Sequence, residues 1–498
     1  CSPGSPQLRR HAPAKDYYSS AGYGPLRETI AAHMTARTGR DHSAEDISAA
    51  EGAPAALAGH PAALLASAWG EARADELASG PVVSKGEAAH QAAPVSHRTD
   101  LPLSRAAELL FLLQMCLDAD LLLPSPSWVS YQPQAQMLGR RTLWVDTTFE
   151  SGWKVTAAGL ERTLDHHSRF ASPQPRLLVL NAPSNPTGVT YSEDELRDIA
   201  DVCRRHGVMV LSDEIYGRLT FDADSPPASG VAPDSGGPAF ARPGHTHASI
   251  SRFLPDQTII LDGISKWAGA GGWRLGAFCF PKSMGWLRQV MTAAASETFS
   301  AVSAPVQHAA IPAFAEESED AMAAYLASAN RVLHLVASFH TDSLRSAGAR
   351  VRSPHGGFYV FPDVTGCPGV QAARERFASE SGGQGPMTSG WLAQDILHHT
   401  GVAMLPGTAF GRARGELTFR IAYVDFDGAE AMAALGRGGS NEALDTRWQG
   451  AGSGPEAERQ AAYLAEFCPS IVQGTEKLCK FLGGTARDHE DLLGGSAR

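Results

Sequence analysis

The sequence has no excess of basic charge: 42 lysines and arginines stand against 53 aspartates and glutamates, a formal net charge of -11. That removes the cationic face a nucleic-acid partner needs. No apolar run reaches the roughly 18 residues of a membrane span. The seven cysteines (Cys1, Cys116, Cys203, Cys279, Cys367, Cys468 and Cys479) are odd in number and scattered. No pair has metal-ligand or redox spacing, so they read as reduced thiols that fill core. Internal repeats are absent. Charged residues make up 19% and hydrophobic ones 43%, ordinary for a globular chain. The 498 residues suffice for two or three domains around a large core. The first residue is Cys1, so the lack of a targeting signal carries little weight.

What is present concentrates in one stretch, Asp262-Gly-Ile-Ser-Lys266-Trp-Ala-Gly-Ala-Gly-Gly-Trp-Arg274-Leu-Gly276. Apolar Thr258-Ile-Ile-Leu261 before it reads as a buried strand, and Arg274–Phe280 after it as a second. Lys266 thus falls at the carboxyl end of a strand, where open α/β sheets place ligands. A lysine is ordinarily a solvated surface charge. The apolar strand, the small-residue loop and the trailing arginine argue against that here. A desolvated amine near a cation loses its proton more readily and can form a Schiff base. Arg274 offers a planar fork for a phosphate. Schiff base and phosphate anchor together suggest pyridoxal phosphate.

Two further strand ends converge on the same rim. Arg176-Leu-Leu-Val-Leu180 runs into Asn181-Ala-Pro-Ser-Asn185-Pro-Thr-Gly188, a turn by composition. Ser192 and Glu195 have capping-box spacing. Leu196, Ile199 and Cys203 form the inner face of the helix they start, and Gly207 ends it. Val208–Leu211 is the next strand and leads into Ser212-Asp213-Glu-Ile-Tyr216. Strand, helix, strand implies a right-handed parallel crossover, so Asn185, Asp213 and Lys266 share one edge of one sheet.

Around this centre, a helix with apolar Leu26, Ile30 and Met34 follows Tyr17–Arg27. Glu108–Met115 is helical, and Leu121–Leu123 is a short strand ending in Pro124-Ser-Pro-Ser-Trp128-Val-Ser-Tyr131. A long helix is predicted near Met322–Leu344, then strands Gly357–Phe361 and Leu417–Tyr423 flanking helix Trp391–His399, and a terminal helical segment over Ala457–Leu482. Stretches 48–103 and 222–244 are rich in Ala, Gly, Ser and Pro and read as insertions, with a helix possible over Ala62–Leu77. The domain reading is an N-terminal segment with its helix (1–47), an irregular insertion (48–103), a large domain (104–320, with 222–244 inserted), a small domain (321–436), and a linker with a helical tail (437–498).

The lysine stretch, Asn185-Pro-Thr-Gly188 and Asp213-Glu-Ile-Tyr216 together resemble the motifs of fold-type I PLP-dependent aminotransferases, class I/II, the aspartate aminotransferase superfamily. They occur in that family's order, and the resemblance covers roughly Tyr17–Ile47 and Glu108–Gly428. It implies an α/β fold: a three-layer αβα large domain on a mostly parallel sheet, with a smaller α+β domain. It implies pyridoxal 5'-phosphate held by Lys266 as an aldimine, with Lys266 then moving a proton between carbons. By resemblance Asp213 pairs with the pyridine nitrogen and keeps the ring an electron sink, and Asn185 and Tyr216 bond its 3-oxygen. Trp128 stacks on the ring. Ser265, Arg274 and the backbone N–H groups of Ala106 and Ala107 at a helix start take the phosphate. Tyr17 reaches the phosphate of a neighbouring subunit, so a homodimer is implied. Arg420, with Asn185 beside it, binds the substrate carboxylate.

The implied reaction is ping-pong transfer of an amino group between an L-amino acid and a 2-oxo acid, with Lys266, Asp213 and Tyr216 as catalytic residues. A dicarboxylate pair such as glutamate and 2-oxoglutarate is the expected co-substrate. No metal, nucleic acid or membrane is expected, and the cytoplasm or an organelle matrix is the expected location. The chain departs from the pattern at Gly263, where a serine is frequent, and at Ser104-Arg-Ala-Ala107, where a glycine turn is usual. The insertion 48–103 is expected to be irregular and to interrupt the cofactor site. Two alternatives stay open on the same scaffold: β-elimination of a cysteine conjugate, and a catalytically impaired homologue.

Overall fold

The computed structural model describes residues 23–44, 46–49, 99–100, 102–103, 106–168, 174–221, 248–315, 318–382, 385–437 and 454–484. Tyr17, the candidate helix Ala62–Leu77 and the insertion 222–244 lie outside them. In chain order the elements are α1 (Gly24–Thr38), β1 (Ser48–Ala49), β2 (Thr99–Asp100), β3 (Pro102–Leu103), α2 (Ala106–Cys116), β4 (Asp120–Ser125), α3 (Tyr131–Met137), β5 (Thr142–Asp146) and α4 (Ala157–Ser168). Then come β6 (Arg176–Asn181), α5 (Glu193–His206), β7 (Met209–Asp213), β8 (Thr258–Gly263), β9 (Gly276–Cys279), α6 (Gly285–Thr298), α7 (Ala304–Phe314) and α8 (Glu319–Ser346). The rest are β10 (Tyr359–Val360), α9 (Pro368–Ser381), α10 (Ser389–Thr400), β11 (Leu405–Pro406), β12 (Phe419–Ala422), α11 (Gly428–Arg437), α12 (Pro455–Phe467) and α13 (Pro469–Gly483).

Seven strands form one sheet in the order β3-β9-β8-β7-β6-β4-β5. β5, β4, β6, β7 and β8 pair in parallel, and β9 runs against both its neighbours. Every residue of β8 is buried, as expected for a sheet covered on both faces. The covering follows from strand alternation. Leu121, Leu123, Leu177, Val179, Leu211, Ile259 and Leu261 pack with Leu109, Leu113, Leu287 and Met291 of α2 and α6. Leu122, Leu178, Leu180 and Val210 face the other way, against Leu160, Leu164, Leu196 and Ile199 of α4 and α5. Each fully buried leucine contributes about 1.5–3 kcal/mol.

The crossover helix α5 shows how local sequence places the rim. Ser192 Oγ accepts from Glu195 N–H at 3.2 Å, and Ser192 N–H donates to Glu195 Oε2 at 2.8 Å. Gly207 closes the helix in the left-handed conformation, φ 63°. The chain then enters β7 with Asp213 at its carboxyl end, beside Asn181 of β6 and Leu261 of β8.

The stretch from Ser48 to Leu103, read as mostly irregular, has short strands at its two ends, and residues 50–98 between them lie outside the described residues. β1 pairs with β2 in antiparallel register, Ser48 opposite Asp100. β3 joins the edge of the large sheet, Pro102 opposite Ala277 and Leu103 opposite Gly276. Strands of two residues are too short for a period to show in sequence, and their pairing comes from distant chain. β3 precedes α2 in the chain, so a strand comes before this helix at the sheet edge.

The second sheet is small and antiparallel, order β10-β12-β11, with α8 to α13 around it. The predicted tail is part of this body. Leu464, Leu478 and Leu482 share a core with Leu344 and Ile396, and Tyr463 Oη donates to Ala431 O at 2.7 Å. Pro469 after Cys468 divides the tail into two helices. Among the described residues no helix is long and apolar enough to cross a membrane.

Candidate active site

Lys266 lies three residues beyond β8, half-buried. Its Nζ is 5.6 Å from the ring centre of Tyr216 and 5.5 Å from that of Phe358. Burial lowers its pKa, and the nearby charges of Arg420 and Arg274 lower it further. The residue before it, Ser265, is half-buried. Arg274 sits at φ 58° and its Nη1 donates to Gly271 O, folding the glycine loop beside the lysine.

Asp213 is 5% exposed. Its Oδ2 accepts from Tyr131 Oη at 2.6 Å and its Oδ1 from Ile215 N–H at 3.2 Å. Burial pushes its carboxyl up to about 6, with the tyrosine bond pulling the other way. Trp128 packs edge-on against Tyr131, ring centres 5.2 Å apart, which puts the indole next to the carboxylate's support. Tyr216 is buried, and its Oη donates to Tyr359 Oη at 3.3 Å. Burial, then Tyr359, raises its pKa well above the ordinary phenol value, so it stays a neutral donor.

Asn185 is held by its own turn, its N–H donating to Asn181 Oδ1 at 2.6 Å. Its Oδ1 accepts from Arg420 Nη1 at 3.0 Å, which leaves the amide NH₂ as a donor. Arg420 reaches it from β12 of the small sheet, its guanidinium 4.5 Å from the Tyr359 ring and 5.2 Å from the Phe410 ring. Arg420 Nε is buried and has no hydrogen-bond partner among the described residues. Gly188 makes the approach of the two sheets possible. It has φ 70°, and a Cβ there would lie 2.5 Å from Pro354 Cβ and 2.8 Å from Tyr359 O.

The structure therefore brings together Asn185, Asp213, Tyr216, Lys266, Arg274, Trp128 and Arg420. Ala106 opens α2, so its N–H and that of Ala107 are among the four donors that a helix start leaves without an intrahelical acceptor. Sequence reasoning missed Tyr131, Phe358 and Tyr359. Tyr131 stands three residues after Trp128, a spacing that puts both on one side of a helical turn. That signal was available. Phe358 and Tyr359 carried none, because they meet Lys266 and Tyr216 only through packing of distant chain.

The sequence profile described as aminotransferase class I and II matches residues 101–434. The chain belongs to that family. It is 30% identical to the aspartate aminotransferase of Geobacillus stearothermophilus over 61% of this chain and 66% of that one. It is 31% identical to a probable N-acetyl-LL-diaminopimelate aminotransferase of Bacillus subtilis, over 67% of this chain and 70% of the relative. The matched region thus spans about two thirds of the length of these relatives. The aromatic aminotransferase structure from Pyrococcus horikoshii superposes with a TM-score of 0.59 at 21% identity, covering 96% of this chain and 89% of its own. At that identity the likeness speaks to the fold, an α/β architecture with a mostly parallel central sheet.

Class I aminotransferases use pyridoxal phosphate, and the donor set of this family member fits the group. Asp213 is a buried carboxylate with no ion pair among the described residues, which suits a cationic ring nitrogen. The orphaned Nε of Arg420 suits a carboxylate. A helix start suits a phosphate. The frequent serine of the family is excluded at Gly263 for a steric reason: a Cβ would lie 2.7 Å from Leu275 O and 2.9 Å from Gly276 Cα.

Proposed function

We propose that this protein is an aminotransferase that moves an amino group between an L-amino acid and a 2-oxo acid, using pyridoxal phosphate on Lys266. The observation that carries the reading is Lys266 at the rim, walled by Tyr216 and Phe358, on the same strand ends as the buried Asp213. When bound, the cofactor supplies an electron sink for charge that develops at the substrate α-carbon. Asp213, held by Tyr131, keeps the ring nitrogen protonated. The Asn185 amide and Tyr216 Oη, once its hydrogen turned away from Tyr359, would donate to the ring's 3-oxygen, and Trp128 would cover the ring. Ser265, Arg274, the N–H groups of Ala106 and Ala107 and, from a second subunit, Tyr17 would hold the phosphate.

Lys266 then acts as general base and acid, because burial and two neighbouring guanidinium groups hold its amine below the ordinary pKa. Arg420 takes the substrate α-carboxylate through its Nε and a second N–H. The two aromatic rings beside Nζ limit the approach of water to the proton it carries. The second-subunit role of Tyr17 makes the working unit a homodimer.

The test is a half-reaction screen. Protein loaded with pyridoxal phosphate is mixed with each amino acid in turn and the cofactor absorbance followed. The expected result is bleaching of the lysine-bound band by one group of amino acids and its return with the matching 2-oxo acids. Borohydride should fix the label on Lys266. A label on another lysine, or a band that no amino acid bleaches, would overturn the proposal.

A further inference from the structure

Beneath the rim, Arg37 near the end of α1 reaches two strand ends at once. Its Nη1 donates to Asp262 Oδ2 and its Nη2 to Glu214 Oε2. The three side chains are 4%, 1% and 0% exposed. Glu214 follows Asp213, and its N–H donates to Leu261 O at 2.9 Å, so it stands beside Asp262 where β7 and β8 end. By strand alternation both point to the sheet face opposite Asp213.

Each carboxylate is also tied to its own strand. Glu214 Oε1 accepts from Ser212 Oγ at 2.7 Å and Ser249 Oγ at 2.6 Å. Asp262 Oδ1 accepts from Gly263 N–H at 2.6 Å and Trp267 Nε1–H at 3.2 Å. Trp267 is fully buried and directly follows Lys266, and the Arg218 guanidinium lies 4.7 Å from its ring centre.

Two adjacent buried carboxylates repel strongly where water is excluded. A planar fork that bonds one oxygen of each cancels that repulsion and fixes their separation. A purely packing role could be filled by apolar side chains at lower desolvation cost. The charges sit where β7 turns into Asp213 and β8 runs on to Ser265 and Lys266. We infer that Arg37 is a positioning residue for the reaction, its guanidinium setting the spacing between the Asp213 and Lys266 strand ends. This rests on the reading of the rim as the pyridoxal phosphate site. It also gives α1, which lies outside the matched family region 101–434, a part in the chemistry.

The test compares the full-length protein with Arg37→Met, which keeps the apolar stem, and Arg37→Lys, which keeps the charge without the fork. In cofactor-free protein, amide exchange should speed up at least tenfold at 213–216 and 262–267 in Arg37→Met and stay unchanged in β6. After loading with pyridoxal phosphate, the circular dichroism of the bound cofactor should change. The kcat per bound cofactor should drop at least tenfold with amino-acid KM within twofold, and Arg37→Lys should fall between. Should Arg37→Met fail to fold, Arg37→Lys carries the same comparisons. A lower melting temperature with native exchange at both strand ends, a native cofactor signal and native kcat would overturn the inference. Failure of the wild-type protein to take up cofactor would sink the reading of the site, and the exchange measurements would still decide whether Arg37 fixes the two strand ends.

Discussion

Asp213 carries an electrostatic cost that can be measured without the cofactor. Burial pushes its carboxyl up to about 6, against roughly 3.9 in an unfolded chain. The native state therefore holds the proton more tightly. The associated stability is present below about pH 4 and lost as pH rises through 6, a change of about 3 kcal/mol. In cofactor-free protein, Asp213→Asn should lack this loss. Its stability minus that of wild type should grow by a few kcal/mol between about pH 4 and 7, read from denaturant unfolding at each pH. The difference matters, because His42 and His340, both pushed down to about 4 by burial, tilt the raw curves the other way and cancel on subtraction. A flat difference would mean that Asp213 is not desolvated. At Gly263, the close approach of Leu275 O and Gly276 Cα makes the opposite kind of prediction. Gly263→Ser should destabilise the protein by about 1–3 kcal/mol through overpacking and should not tighten cofactor binding. Tighter binding with unchanged stability would show that the strands can part.

At the scale of elements, β4, β6, β7, β8, β9 and the crossover helix were readable because these strands carry apolar runs and α5 carries its caps in sequence, Ser192, Glu195 and Gly207, whereas β5 (Thr142–Asp146) alternates in burial and was not. The placement of Asn185, Asp213 and Lys266 on one rim was readable because these residues follow those runs, and Arg420 lies on the predicted strand of the small sheet. The pairings β1–β2 and β3–β9 were not. Two-residue strands have no period, and their partners are distant. Tyr131 was read past because its role appears only as a bond to Asp213. The β1–β2 pair has a practical consequence. It brings Ala49 opposite Thr99, a separation a short turn can span. Replacing 51–97 with a two- to four-residue turn should leave a folded protein with cofactor affinity within about threefold of wild type, since closing a shorter loop costs less entropy. Titration of both proteins with pyridoxal phosphate checks this, and a large loss of affinity would mean that 51–97 contributes to the site.

For the whole molecule, the proposal that Tyr17 serves a neighbouring subunit can be tested by mixing. Lys266→Ala and Tyr17→Ala each disable one component of a site. In a hybrid dimer, one site would combine Lys266 of one subunit with Tyr17 of the other and be complete. Refolding the two inactive or weakened proteins together should restore activity toward about a quarter of wild type, from half the dimers with one good site each. This arithmetic treats sites as independent. No gain on mixing would place Tyr17 in its own subunit's site or outside any site.

The join between the two sheets constrains how such a molecule can move. Segment 354–357 is wedged between the Asn185–Gly188 turn and the chain after Tyr216: His355 and Gly356 donate to Gly188 O, Phe221 to His355 O, and Gly357 to Leu219 O. Arg420 adds its bond to Asn185. A linkage stitched on both sides has little freedom to slide or twist. Any motion of the small body that keeps these bonds is a tilt about the seam, as a door turns about its hinge line. The residues nearest the seam, Arg420 among them, would then travel least. The proposed carboxylate anchor would then keep its place relative to Lys266 while the rest of the small body moves.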